Sequence, residues 1–433
     1  MVLRLSDSLA RGMVVAAALL LGLWLSFFGV RTAIARHDSE RETAKSLEAA
    51  VRLEPNNPDY WYMLGRYQQY NFEQSNSVLA ENSYRKAIAL NPEATDAWLD
   101  LATAYELDGK GEEALDAYLQ AKKSYPVSAD VSWRYGNFLL REGKLPQAYE
   151  ELRAAIEADP RYAAGAFSRA YRSNPNIDDL LARLLPASPG VYLDVISEAG
   201  SEKHLAVAKM VWAQLLKLHP HLTVGQFDGL VSELQQAGEF AEARRVWDEG
   251  TSTMNLPPLF GPQGSIVWDP SFESGINGSS FSWRFNPIEQ GVSIKLDDAE
   301  KHSGSRSLRL SFDGKHNPDL EAACIFAIVE PGTTYRFSGW IKTKNLTTEH
   351  GVGFRIHSYA YGNSDASLVN TKQIYGNNPF TMIDQSWTAG PDIHRVRICV
   401  TREPSDNPDV RISGTAWVDD VNLVPEVAEH PKP

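Results

Sequence analysis

The chain has 433 residues, 43% hydrophobic and 22% charged, a balance that belongs to folded protein and to two or three structured units rather than one core. A formal net charge of -13 without a dense Lys/Arg cluster leaves no counterion-releasing surface for nucleic acid. Two cysteines, Cys324 and Cys399, exclude a disulfide-rich scaffold and a multi-cysteine zinc site.

After a short tail (1–12), residues 13–30 read MVVAAALLLGLWLSFFGV, an uncharged run between Arg11 and Arg31 that is long enough to cross a bilayer. Its length favours an uncleaved anchor, because a cleavable leader has a shorter apolar region. Ala33-Ile34-Ala35 nevertheless has the small-x-small form of a cleavage site and keeps the leader reading open. Arg4 and Arg11 on one side are matched by Arg31, Arg36 and Arg41 on the other, so charge bias does not orient the segment.

Self-similarity dominates the next stretch. Pro92, Pro126 and Pro160 recur every 34 residues, as do Ala80, Ala114 and Ala148, then Ala87, Ala121 and Ala155, and the pair Gly109 and Gly143. Within each unit apolar residues fall three and four apart, which predicts two amphipathic helices with a Gly-containing turn between them and a closing Pro. Small residues such as Ala102, Gly136, Ala114 and Ala148 permit close helix approach, while Trp98, Tyr105 and Tyr118 fill the intervening space. Over residues 44–160 this pattern resembles the tetratricopeptide repeat. From Trp61-x-x-Leu64-Gly65 to Trp98-x-x-Leu101-Ala102 the step is 37, which predicts about three extra residues between Asn71 and Asn82. Residues 161–250 read as divergent or capping helical units, with GEFAEARRVWDEG as a second repeat helix. The resemblance implies an all-α solenoid whose concave surface receives a protein partner; the alternative is a spacer that holds the following domain away from the membrane.

Residues 251–265 gather Pro and Gly and read as a linker. Beyond it the period changes to two. Leu308, Leu310 and Phe312 share one side, Tyr335, Phe337 and Ile341 alternate with Arg336, Ser338, Trp340 and Lys342, and Val352, Phe354 and Ile356 alternate with Arg355, His357, Tyr359 and Tyr361. Short strands with Gly, Asn and Pro turns across 266–425 predict an all-β sandwich or jelly roll, followed by a tail at 426–433.

The phrases WDPSFESG, HSGSRSLRLSFDG, VEPGTTYRFSGWIKT and GTAWVDDVNLV, in this order, resemble the jelly-roll carbohydrate-binding modules of families four and nine. The resemblance implies a polysaccharide ligand, no catalytic site and one structural calcium ion. Asp419 shares strand parity with Val421 and Leu423, which predicts an inward-pointing carboxylate that either a cation or turn amides must satisfy. Glu273 matches the family's other acidic ligand, with oxygens near Ser303 to Ser305 completing the shell. Candidate glycan contacts are Arg336, Trp340, Arg355, His357 and Tyr359, on non-core positions of strands expected to be adjacent, with Trp283, Tyr375 and Trp387 near loops. Trp340 has the alternative role of covering the second face of the sheet. Cys324 and Cys399 would form a disulfide if exported, or remain two buried thiols.

No GxxxxGK[ST], HExxH or GxSxG motif occurs. The expected protein is therefore a binder rather than an enzyme: anchored in the lipid bilayer, with its soluble part on the periplasmic side of a bacterial inner membrane. Its helices hold protein partners and its sandwich holds polysaccharide, in the setting of exopolysaccharide assembly or export. The rival readings are a structural adaptor whose sandwich binds protein, or a glycoside-processing enzyme with an unrecognised carboxylate pair.

Overall fold

The computed structural model describes residues 8–71, 75–256, 258, 264–286, 291–358, 367–407 and 410–426. The chain divides into two compact units, residues 1–186 and 187–433.

In the first unit, α1 (Ser8–Ser39) contains the apolar run, and among the described residues it is the one helix long and apolar enough to cross a membrane. It continues past the run, and Ala35 enters a core with Leu47, Ala50, Val51, Tyr60 and Leu64 of α2 (Ala44–Leu53) and α3 (Pro58–Tyr70). Arg31 and Glu54 pair across the same junction at 3.1 Å. The array continues with α4 (Ser77–Leu90), α5 (Thr95–Leu107), α6 (Gly111–Ser124), α7 (Ala129–Arg141), α8 (Leu145–Ala158) and α9 (Ala163–Ser173). A short α10 (Ile177–Asp179) runs into a π turn at Leu180–Leu184.

The 34-residue period is thus a period of helical hairpins. Gly109 and Gly143 take φ of 71° and 70° in the turns within successive hairpins, a conformation that penalises a side chain. Trp61 Nε1 donates to the Pro55 carbonyl at 2.8 Å and Trp98 Nε1 to Pro92 at 2.9 Å, so the same clip ties successive first helices to the Pro that precedes them. Small residues recur where helices touch: a Cβ on Gly136 would lie 2.8 Å from Leu152 Cγ. The expected insertion in the first hairpin falls before Ser77; Asn82 is already inside α4, whose N-cap is Asn76.

The second unit begins with α11 (Pro189–Ser201), α12 (Leu205–Leu216), α13 (Val224–Gln236) and α14 (Phe240–Ser252). These helices pack onto the β-domain. Trp247 is buried among the rings of Phe227, Trp268 and Phe281, at centroid distances of 5.7, 5.1 and 5.5 Å. Arg395 donates to Gln235 Oε1 at 3.0 Å, and the amide of Ser280 donates to Asp228 at 2.8 Å. Of the expected linker, residues 257 and 259–263 lie outside the described residues.

The β-domain is a sandwich of β1 (Arg284–Phe285), β2 (Val292–Asp297), β3 (Ser307–Asp313), β4 (Leu320–Ile328), β5 (Thr334–Leu346), β6 (Gly353–Ser358), β7 (Ser367–Asn370), β8 (Gly376–Thr388), β9 (Arg395–Arg402) and β10 (Ser413–Pro425). One sheet has the order β1-β4-β9-β6-β7 and the other β2-β3-β10-β5-β8, with antiparallel pairing between neighbours. The alternation read from the sequence is the core: Leu308, Leu310, Tyr335, Phe337 and Ile341 face Phe354, Ile356, Ile398 and Val400, and the rings of Phe337 and Phe354 meet at 5.0 Å.

Candidate functional site

β5 and β6, expected to lie side by side, belong to different sheets, because the segment between Leu346 and Gly353 crosses from one to the other. The candidate glycan residues therefore separate. Arg336 and Trp340 stand on the outer face of the β2-β3-β10-β5-β8 sheet, whereas Arg355 and His357 stand on the outer face of the opposite sheet. Arg336 pairs with Asp384, its Nε donating at 3.0 Å, and Trp340 stacks on the imidazole of His302 at 3.9 Å, covering its sheet. Trp283 is 1% exposed and donates its Nε1 to the Asp269 carbonyl beneath Phe272, so it is a core residue and not a cleft wall. Trp387 lies within edge strand β8 opposite Tyr335, on whose ring it stacks at 6.1 Å. Tyr375 is exposed beside the bridge between Val352 and Ile374. Tyr359 lies outside the described residues.

The outer face of the β1-β4-β9-β6-β7 sheet is polar, as is that of the opposite sheet, where Lys295, Arg309 and Lys342 share a row with Trp417. Register places Arg284, Cys324, Cys399, Arg355 and Asn370 in one row across the five strands. Four inter-strand steps of about 4.8 Å make that row roughly 19 Å wide. The next row is Phe326, Arg397 and His357. Cys324 and Cys399 are disulfide-bonded at the centre, with Cα atoms 4.1 Å apart. Over the disulfide lies Glu321, whose Oε2 is 3.6 Å from the Cys399 sulfur; its Oε1 meets His357 Nε2 at 2.8 Å, and its Oε2 pairs with Arg397 at 3.2 Å. Arg355 donates to Glu403 at 2.7 Å and to Asn370 at 2.8 Å. Phe326 sits between the guanidinium groups of Arg284 and Arg395, at 5.8 and 4.9 Å.

Glu321, Arg397, Arg284 and Glu403 were not among the expected contacts. The signal was present in β9, where Arg395, Arg397 and Cys399 alternate with Val396, Ile398 and Val400. Its meaning required the register that places β9 between β4 and β6.

A second cluster occupies a corner of the opposite sheet. Asp419 is 0% exposed, yet it does not share the core side with Val421 and Leu423. The pairing of β10 with β5 shifts register between Asp419 and Asn422, and Asp420 takes φ of 48°; this bulge reverses strand parity, so Asp419 pairs opposite Trp340 on the outer side. The turn after β2 then covers it. The amides of His302 and Ser303 donate to its Oδ2 at 2.7 and 3.1 Å, and that of Asp420 to its Oδ1 at 2.8 Å. Burial, with Asp420 adjacent, pushes the Asp419 carboxyl up to about 6 despite these amides. Glu273 caps the same turn, accepting the amides of Ser305 and Arg306 at 2.7 and 3.0 Å.

In the helical array the polar centre is Asp100, 4% exposed on α5. It accepts Tyr62 Oη from α3 at 3.1 Å and Arg134 from α7 at 2.8 Å, and Arg66 approaches at 3.6 Å. The first helices of three successive hairpins thus share one buried carboxylate. Beside it Tyr62, Met63, Arg66, Tyr67 and Tyr70 line an open cavity of about 430 Å³.

The family model of the tetratricopeptide repeat matches residues 71–129 and 112–163, and that of the carbohydrate binding domain matches residues 264–407. Among solved structures, the MamA protein is 16% identical over 41% of this chain and 94% of its own, with a TM-score of 0.32. PilF of Pseudomonas aeruginosa is 17% identical over 52% of this chain and 88% of its own, with a TM-score of 0.28. The N-terminal endo-1,4-beta-D-xylanase 10B of Clostridium thermocellum, with its modules complexed with xylohexaose, is 12% identical over 35% of this chain and 27% of its own, with a TM-score of 0.26. No curated protein matches the chain. With a helical array and an antiparallel β-sandwich each matched by its family model, the chain is a tetratricopeptide repeat protein that carries a C-terminal carbohydrate binding domain.

Proposed function

We propose that the protein is a membrane-anchored binding protein whose helical repeats hold a protein partner while its β-sandwich binds polysaccharide, outside the cytoplasm and in the assembly or export of an exopolysaccharide. The observation that carries the sugar reading is the outer face of the β1-β4-β9-β6-β7 sheet. Planar polar side chains (Arg355, His357, Arg397 and Asn370) are held there over a cross-linked floor, and such groups satisfy sugar hydroxyls in pairs. The uncharged run of α1, fully exposed, supports the anchor. The matched domains are binding modules, so the reading is one of recognition and not of bond cleavage.

We further propose one calcium ion at the corner of Glu273 and Asp419. Two carboxylates, one of them buried and raised in pKa, border a turn whose Gly304 leaves no room for a side chain against Glu273 Oε1. A hard divalent cation taking oxygen ligands offsets the cost of that buried charge and ties the start of the sandwich to its last strand.

Detergent-solubilised full chain, screened against immobilised polysaccharides with calcium present, tests the sugar reading. Binding that falls at least tenfold in Arg355→Gln and His357→Ala is expected, and no binding to any polysaccharide would end it. A periplasm-active reporter fused after Pro433 tests the placement; activity from a cytoplasm-only reporter would reverse it.

A further inference from the structure

The polar face is also a cationic one, in a chain whose net charge is -13. Among the described residues Arg284, Arg355 and Arg397 stand on it against two carboxylates, Glu321 and Glu403. Among the described residues no carboxylate lies within ion-pair distance of Arg284, which is exposed at the edge of the row and rests against Phe326. No Trp or Tyr occurs on any of the five strands of this sheet. Among the described residues of these strands, a neutral sugar held by stacking its C–H face on a ring finds on this face the phenyl group of Phe326, already flanked by two guanidinium groups.

We propose that this face selects an acidic polysaccharide, one whose residues carry carboxylates of the uronic acid type, over neutral glycans. The inference rests on the polysaccharide reading above and narrows it. A guanidinium matches a carboxylate through two parallel N–H donors, and charge-assisted bonds of that kind are about twice as strong as neutral ones. Excess positive charge on one face also draws a polyanion to that face.

A second feature orders the face. His357 is 7% exposed and binds Glu321 through Nε2, and its Nδ1 is buried with no partner among the described residues. The Nε2 contact holds the Glu321 carboxylate, and through it Arg397, in place on the face. The disulfide between the arginines supplies an uncharged floor at the middle of the row.

The test uses full chain in detergent, titrated with polygalacturonate and alginate, with their carboxyl-reduced neutral forms, with xylan and dextran, and with polyglutamate. Acidic polysaccharides should bind, carboxyl reduction should weaken binding at least tenfold, and Arg284→Ala should cost about tenfold, as expected for one charge-assisted contact. His357→Ala should weaken polyuronate binding with an unchanged circular dichroism spectrum. Carboxyl-reduced or neutral glycans binding as tightly as the acids, with Arg355→Gln still lowering affinity, would overturn the acidic selectivity and leave the polysaccharide reading standing. Failure of every polysaccharide would remove both. Polyglutamate binding as tightly as polyuronate would show an anion sink and overturn the proposal.

Discussion

Cys324 and Cys399 sit directly opposite each other on β4 and β9, 75 residues apart in sequence and bonded on the outer face of their sheet rather than in the core between sheets. The link closes a long loop in the unfolded chain and so stabilises mainly by restricting that ensemble, by about 2–4 kcal/mol. The double substitution to Ser should lower the calorimetric midpoint of the β-domain by several degrees, and reductant should do the same to the unmodified protein without affecting the variant. Equal midpoints in all three samples would mean that the sulfurs are not bonded in the folded protein.

Asp100 joins three hairpins through Tyr62, Arg66 and Arg134. Asp100→Ala leaves Arg134 half-buried with only the more distant Asp130 as charge partner and Tyr62 without its acceptor, a loss of about 3 kcal/mol by analogy with broken buried pairs. Asp100→Asn keeps an acceptor and should cost less. Urea unfolding of the two variants measures the difference; indistinguishable midpoints would show that the network is replaced by water.

The corner around Asp419 makes a metal-removal prediction. Chelation should lower the unfolding temperature of the β-domain, and calcium at 100-fold over its dissociation constant should restore about 2.7 kcal/mol. Glu273→Gln should remove the response to calcium while leaving the metal-free protein close to its original midpoint. A protein whose unfolding is blind to both chelator and calcium has no such site, and its amides alone satisfy Asp419.

Local periodicity made most of the architecture legible, and long-range pairing accounts for what it hid. The hairpins at Thr95, Ala129 and Ala163 were readable because their spacing is a sum of fixed local elements. The alternation around Phe337 and Phe354 identified the core for the same reason. Strand adjacency was not readable: β5 and β6 follow each other in sequence but pair with β8 and β10 on one side and β7 and β9 on the other. Asp419 was misplaced by a bulge that parity cannot foresee, and Trp283, which does lie outside the strands, was nominated as a glycan contact because nothing local shows that it is buried beneath Phe272. The polar face therefore emerged only when Glu321, Arg397 and Arg355, from three separated strands, were brought together.

The packing of α13 and α14 on the sandwich predicts that these helices and the strands unfold as one. Trp247 is 0% exposed and touches aromatic rings from both: Phe227 on the helical side, Trp268 and Phe281 from the segment that leads into the strands. Truncation to Ala removes a side chain that several rings enclose, and such losses cost about 3–5 kcal/mol because the surroundings cannot collapse into the space. Thr251, also buried, donates its hydroxyl to the Trp247 carbonyl at 2.8 Å, which holds the last turn of α14 in place and limits relaxation further. In Trp247→Ala, hydrogen exchange should accelerate by comparable factors in α13 and in β9, where Arg395 meets Gln235, since both lie in the same cooperative unit. Acceleration confined to α13 and α14, with β9 as protected as before, would show instead that the helices are a separately folding layer laid against an independent sandwich.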